Sequence, residues 1–130
     1  MNRVLAPSIL LAVAACSGSG STHPITCTNE LRSTIMVNVT DARTGSAAAL
    51  GSTVIVKGAG VYDSVVVAST PFNPATAYVG WEDRVKAGRY SVEVRKPGYV
   101  SFLRTDVDVT SDQCHSGPGP SVQAALQPAS

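Results

Sequence analysis

Apolar and polar residues alternate with a period of two in short segments of this chain, and no long segment has the period of an α-helix. In the segment RSTIMVNVT (32–40), Ile35, Val37 and Val39 share one face. Because successive side chains of a strand point to opposite faces, such a segment forms a β-strand with one buried side. Turn residues separate roughly seven segments of this kind, which is the spacing of an all-β sandwich. The sequence therefore predicts an all-β domain.

The other predicted strands follow the same alternation. They lie at 53–57, 61–68, 77–82, 88–95 and 122–126, with a further long strand after residue 99. In that long strand, the alternation places Leu103, Val107 and Val109 inward. The charged triplet at 82–84 is expected to form a hairpin turn. Its other interpretation, as an acid/base pair, stays open.

Two turns carry clear residue signals. In DARTG (41–45), an aspartate can bond the backbone ahead of it, and the glycine can adopt a positive φ. In KPGY (96–99), proline is followed by glycine, which is the signature of a type II turn. The second turn therefore places Gly98 in the left-handed region.

These turns, in their order, resemble those of a known family. DARTG (41–45), GRYSVEV (88–94) and KPGY (96–99) resemble the motifs of carboxypeptidase regulatory-like domains, and a terminal strand ending at Pro128 fits as well. The resemblance spans 28–128 and implies a seven-stranded Greek-key β-sandwich of transthyretin type. It also implies a non-catalytic module that stabilises, tethers or recognises. The domain is assigned to 27–130.

The N-terminal segment MNRVLAPSILLAVAA (1–15) is typical of a signal peptide. Its end, VAAC (13–16), resembles the bacterial lipobox, which implies a diacylglycerol on Cys16 as the mature N-terminus. The other interpretation is an ordinary secretory signal cleaved after Ala14. With Ser17 next to the anchor, resemblance to bacterial sorting rules implies the outer membrane. Residues 16–26 are then the lipidated cysteine and a flexible tether.

The chain has three cysteines. Export permits disulfides, and pairing Cys27 with Cys114 would leave only the anchor cysteine. Free thiols and a zinc site with His23 and His115 are the alternatives, although adjacent ligands at 114 and 115 suit one ion poorly. We expect the disulfide and no metal.

Charge and motifs argue against two classes of function. The chain has ten Lys and Arg and nine Asp and Glu side chains, interspersed, and loss of Arg3 with the signal segment makes them equal. Nothing follows a phosphate backbone, so no nucleic-acid partner is expected. The chain lacks the nucleophile elbow, the Walker loop and the zinc helix motif. His115 is expected to be solvated, and neither an enzyme nor a cofactor is predicted.

Aromatic residues near the proline-containing loop at 69–76 form the candidate ligand surface. They are Phe72, Tyr78 and Trp81. If exposed, these rings would contact a sugar or a partner protein, whereas the other interpretation has Tyr78 and Trp81 capping the core. The expected function is a membrane-anchored, non-catalytic binding or structural module of the envelope. Its expected partners are the membrane, through Cys16, and an envelope protein or polysaccharide; a glycan-binding lipoprotein is the alternative, and a small hydrolase the third.

Overall fold

A computed structural model describes residues 24–117 and 119–130. These residues form seven β-strands and no helix, so the predicted all-β class is confirmed. The strands are β1 (Ser33–Asp41), β2 (Thr53–Gly58), β3 (Val61–Val66), β4 (Thr76–Trp81), β5 (Gly88–Arg95), β6 (Phe102–Val109) and β7 (Ser121–Leu126).

The strands form two sheets, as in a β-sandwich. The three-stranded sheet has the order β4-β1-β7, and the four-stranded sheet has the order β3-β2-β5-β6. β1 pairs antiparallel with β4 and parallel with β7, so the first and last strands of the domain are neighbours. β3 and β4 are therefore edge strands of different sheets.

The core lies between the two sheets. The alternation of apolar and polar residues along β1 and β5 explains which of their side chains are buried in it. Ile35, Val37 and Val39 are fully buried, and Val92 and Val94 meet them from the other sheet. Further members of the same buried cluster come from β5 itself and from the remaining strands. They are Val54, Val56, Ala77, Val79, Tyr90, Val107, Val109, Val122, Ala124 and Leu126.

The inward position predicted for Leu103 is wrong, since 62% of this residue is exposed. On β5 the two-residue step from Tyr90 to Val92 faces a three-residue step from Val107 to Arg104 on β6. This bulge adds one residue to β6. The residues of β6 that precede the bulge therefore face the opposite way from the direction that simple alternation predicts. Phe102 packs against the core instead.

The residue at the bulge has an unusual backbone. Asp106 has a φ of 59°, which is the left-handed region. Short polar side chains such as aspartate tolerate this conformation better than most residues. The extra residue is thus accommodated at a position whose side chain lies in solvent.

The triplet at 82–84 forms a turn but not a hairpin. It follows β4, and the next strand, β5, belongs to the other sheet. Amide N–H groups of Arg84 and Val85 both donate to the carbonyl of Trp81, at 2.9 Å each. The chain therefore crosses between sheets here, which the local charge pattern does not reveal.

The predicted turns meet at the end of the sandwich where β1 finishes. Oδ1 of Asp41 accepts the amide N–H groups of Arg43 and Thr44 at 2.8 and 2.9 Å. Its Oδ2 accepts the hydroxyl of Tyr99 at 2.9 Å. The Asp41 carboxylate thus joins the turn after β1 to the turn after β5.

Replacing Gly98 tests this end of the domain. Gly98 has a φ of 81° and a Cβ there would meet nothing within 4 Å, so only backbone strain opposes a side chain. Gly98→Val should lower the free energy of unfolding by about 1–3 kcal/mol, measured by urea denaturation. Gly98→Asn is the matched control and should cost less, because asparagine tolerates positive φ. An unchanged unfolding free energy for Gly98→Val would contradict the assignment.

Candidate functional site

Cys27 and Cys114 form a disulfide in the structure, as the sequence predicts. Their Cα atoms are 5.2 Å apart, within the usual range for a bridged pair. The zinc alternative fails because the two sulfurs are bonded to each other; His23 lies outside the described residues. The bridge spans 87 residues, and closing so long a loop stabilises a domain by about 4 kcal/mol on the chain-entropy model.

His115 lies at the junction where the disulfide joins the segments before β1 and β7. The expectation of a solvated histidine is wrong. Only 9% of its side chain is exposed. Nδ1 lies 3.0 Å from Oε2 of Glu82, and Nε2 lies 3.1 Å from Oγ1 of Thr28. Because a carboxylate only accepts, Nδ1 donates its proton to Glu82, while Nε2 and the Thr28 hydroxyl share the second hydrogen bond. The contact joins residues 33 apart, which no local motif could indicate.

The Glu82 carboxylate has several partners. Its Oε1 accepts the backbone N–H of Arg32 at 3.2 Å, in addition to the contact with His115. Burial alone would raise the pKa of Glu82, but hydrogen bonds from His115 and from the Arg32 backbone outweigh it. The pKa of Glu82 therefore lies below its ordinary value, and the carboxylate stays charged.

The hydroxyl of Thr28, the imidazole of His115 and the carboxylate of Glu82 are in contact in the order that a hydrolase triad has. The network borders a pocket of about 290 Å³. However, the backbone N–H groups of Cys114 and His115 both donate to Oδ1 of Asp112, at 2.8 and 2.7 Å. These donors are already engaged and do not point at an oxyanion. The arrangement therefore suits a structural brace between the segments that precede β1 and β7.

The predicted aromatic surface lies on another part of the molecule. Phe72 is 84% exposed and Trp81 is 40% exposed, and neither they nor Tyr78 belong to the buried core. The interpretation of Tyr78 and Trp81 as core caps is therefore wrong. Tyr78 pairs with Met36 on the outer face of the three-stranded sheet, because its neighbours Ala77 and Val79 point inward.

Phe72 stands over Tyr78 on a loop with its own internal bonds. The two ring centroids are 6.1 Å apart and the rings meet at 87°, an edge-to-face pair. Oδ1 of Asn73 accepts the amide of Ala75 at 2.9 Å, and the Ala75 carbonyl accepts the amide of Val39 at 2.7 Å. The loop is thus attached to β1 and holds the Phe72 ring outward.

A groove of about 840 Å³ runs between the edge strands β3 and β4, with the aromatic residues along it. Most of its remaining lining is aliphatic. These residues are Leu31, Met36, Val65, Val66, Val67, Ala68, Pro71 and Ala77. Charge at the rim is balanced, since Arg32 pairs with Glu30 at 2.9 Å. The groove therefore offers apolar and aromatic contact with few polar groups, and it carries no single sign of charge.

The predicted signal segment, Cys16 and most of the tether lie outside the described residues. Residues 24–117 and 119–130 contain no helix with the length and hydropathy needed to cross a membrane. In the same residues, no three His, Cys, Asp or Glu side chains are grouped so as to hold a metal ion. No protein-family model matches the chain, and no protein of curated function is significantly similar to it.

The brace around Glu82 predicts a response to acid. A carboxylate with a lowered pKa contributes stability above its ordinary pKa of 4.5, and that stability is lost as the pH falls through the folded value. Glu82→Gln should therefore reduce the loss of unfolding free energy between pH 7 and acid, measured by urea denaturation. Asp83→Asn, at the neighbouring exposed carboxylate, is the matched control and should change the loss less than Glu82→Gln does. Equal effects of the two substitutions would contradict the role of Glu82.

Proposed function

We propose that this chain is a lipid-anchored, non-catalytic interaction module of a bacterial envelope, held in the outer membrane through Cys16. The observation that carries the proposal is the disulfide between Cys27 and Cys114. It is typical of an exported protein, and it accounts for two of the three cysteines. The third ends an apolar segment in the VAAC pattern of a lipobox. Acyl chains on such a cysteine supply stable membrane attachment.

We also propose that residues 27–130 are a carboxypeptidase regulatory-like domain with the Greek-key topology of transthyretin. Seven strands in two sheets are consistent with this assignment. So is the meeting of the motif turns, since Asp41 of the first motif accepts a hydrogen bond from Tyr99 of the last. Tyr99 in turn forms a bridge with Pro128, where the resemblance ends. Two of the sequence motifs that suggested the family, DARTG and KPGY, thus contact each other.

The hydrogen bonds around His115 support a non-catalytic role. The amides that could stabilise an oxyanion donate to Asp112, and the Glu82 carboxylate also accepts a backbone amide. Thr28 carries a hindered secondary hydroxyl and lies outside the strands. These contacts favour a brace over the hydrolase that the order of groups suggests.

Glycan binding is the second candidate, and the exposed aromatic groove favours it. Rings such as Phe72 and Trp81 can stack on the apolar faces of sugars. Titrating the fluorescence of Trp81 with envelope polysaccharides tests this candidate. A saturable change would support it, and an unchanged spectrum would contradict it.

Replacing the anchor cysteine tests the leading proposal. Cys16→Ala removes the thiol that receives the lipid, so the domain should leave the membrane or accumulate as an unprocessed precursor. Membrane fractionation and the mass of the mature product measure the result. Ser17→Ala is the matched control and should remain membrane-bound. A Cys16→Ala protein that is still processed and still needs detergent would contradict the lipid anchor.

A further inference from the structure

We propose that the groove between β3 and β4 docks, side-on, onto the phospholipid surface of the leaflet that holds the anchor. The inference rests on the proposed lipidation of Cys16 and adds the lipid surface as the occupant of the groove. It is argued from the reach of the chain, the distribution of exposed apolar residues and the balance of charge.

The chain outside the structure is too short to carry the domain far from the bilayer. Residues 17–23 separate Cys16 from Pro24, so eight Cα–Cα steps of at most about 3.5 Å limit the distance to about 28 Å. A domain of about 100 residues has a radius of gyration near 13 Å, so its diameter exceeds this reach. The side of the domain next to the segment before β1 therefore faces the lipid. At such short range the local concentration of the surface is high, and weak contacts suffice.

That segment leads directly to the groove. Ile25 and Leu31 are exposed along it, and Leu31 lines the groove together with Trp81. Cys27 is fixed to Cys114, so only four residue steps, at most about 14 Å, separate the fixed point from Leu31. The exposed apolar residues nearest the anchor thus continue into the groove.

The groove has the composition of a membrane-interface surface. Phe72 projects from a bonded loop with 84% of its surface exposed, and Val66 on the edge strand is exposed beside the same groove. Aromatic rings favour the boundary between headgroups and acyl chains, and aliphatic side chains gain from leaving water. The polar residues of the lining are fewer than the apolar and aromatic ones, which suits a lipid surface better than a sugar that needs many polar partners.

The charges at the rim of the groove favour neither anionic nor cationic lipid. The pair of Glu30 and Arg32 at the rim is internally neutralised, so docking should occur on zwitterionic lipid and should respond little to salt. Binding that depends on attraction to charged lipid would weaken as salt is added, because salt screens the charges. Salt response therefore distinguishes apolar docking from attraction to anionic lipid.

The test uses the mature lipidated protein reconstituted in phosphatidylcholine vesicles. Trp81 is the only tryptophan of the chain, so its fluorescence reports on the groove alone. Lipid brominated in the upper acyl chain should quench Trp81, and the bilayer should shield it from acrylamide, at low and high salt alike. Phe72→Ala should lower the ratio of docked to undocked domain by about tenfold or more. The Phe72 ring is exposed, so the substitution should leave the urea midpoint unchanged.

Leu103→Ser is the matched control. Leu103 is also an exposed apolar residue, but it lies on β6, at the opposite edge of the four-stranded sheet from β3. Quenching should be unchanged in this variant. Equal quenching in wild type and Phe72→Ala would overturn the docking, since Trp81 would then be near lipid without the groove being engaged.

The remaining outcomes separate docking from anchoring. Protein that sediments with vesicles while Trp81 stays unquenched would overturn the docking and leave the anchor intact. Protein absent from the sedimented vesicles would overturn the anchor, and the docking with it. Two results would each replace lipid as the occupant. One is shielding of Trp81 by added peptidoglycan fragments without lipid quenching; the other is shielding that rises with protein concentration in detergent, which indicates a second copy.

Discussion

The parallel pairing of β1 with β7 is the contact on which the rest of the domain depends. It places β1 in the centre of its sheet, so that Val37 and Val39 are covered from both sides and from the facing sheet. Such pairing joins the two ends of the domain and is entropically costly. The disulfide from Cys27 to Cys114 lies where these strands begin and reduces that cost by constraining the unfolded chain. The contact of Glu82 with His115 lies at the same end and offsets part of the cost.

This closure also determines where the domain can act. Because Cys27 is covalently fixed beside the start of β7, the segment leading to β1 has a defined position on the domain surface. Leu31 at its end lines the aromatic groove. A lipid on Cys16 would therefore hold this groove, rather than the far edge at β6, close to the membrane. The cysteine pair positions the chain, and the proposed lipid on the remaining cysteine would supply the attachment.

Local pattern predicted the strands, the turn at Gly98 and the disulfide, because each depends on neighbouring residues or on cysteine number. It failed where the register of two strands, or a contact between residues far apart in the sequence, determines whether a side chain is buried. Leu103 faces solvent because a bulge near Asp106 adds a residue that alternation alone does not show. His115 is buried because folding brings it to Glu82 across 33 residues. The aromatic residues were identified from the sequence, whereas the aliphatic groove around them arises only when β3 and β4 become neighbouring edges.

We propose that the three cysteines have two fates, one lipid anchor and one cross-link. Mass spectrometry of peptides from membrane-extracted protein, alkylated before digestion and never reduced, measures both fates together. We expect an acylated Cys16 at the mature N-terminus and a single cross-linked pair containing Cys27 and Cys114. Recovery of Cys16 in a disulfide, or of alkylated Cys27 and Cys114, would contradict it.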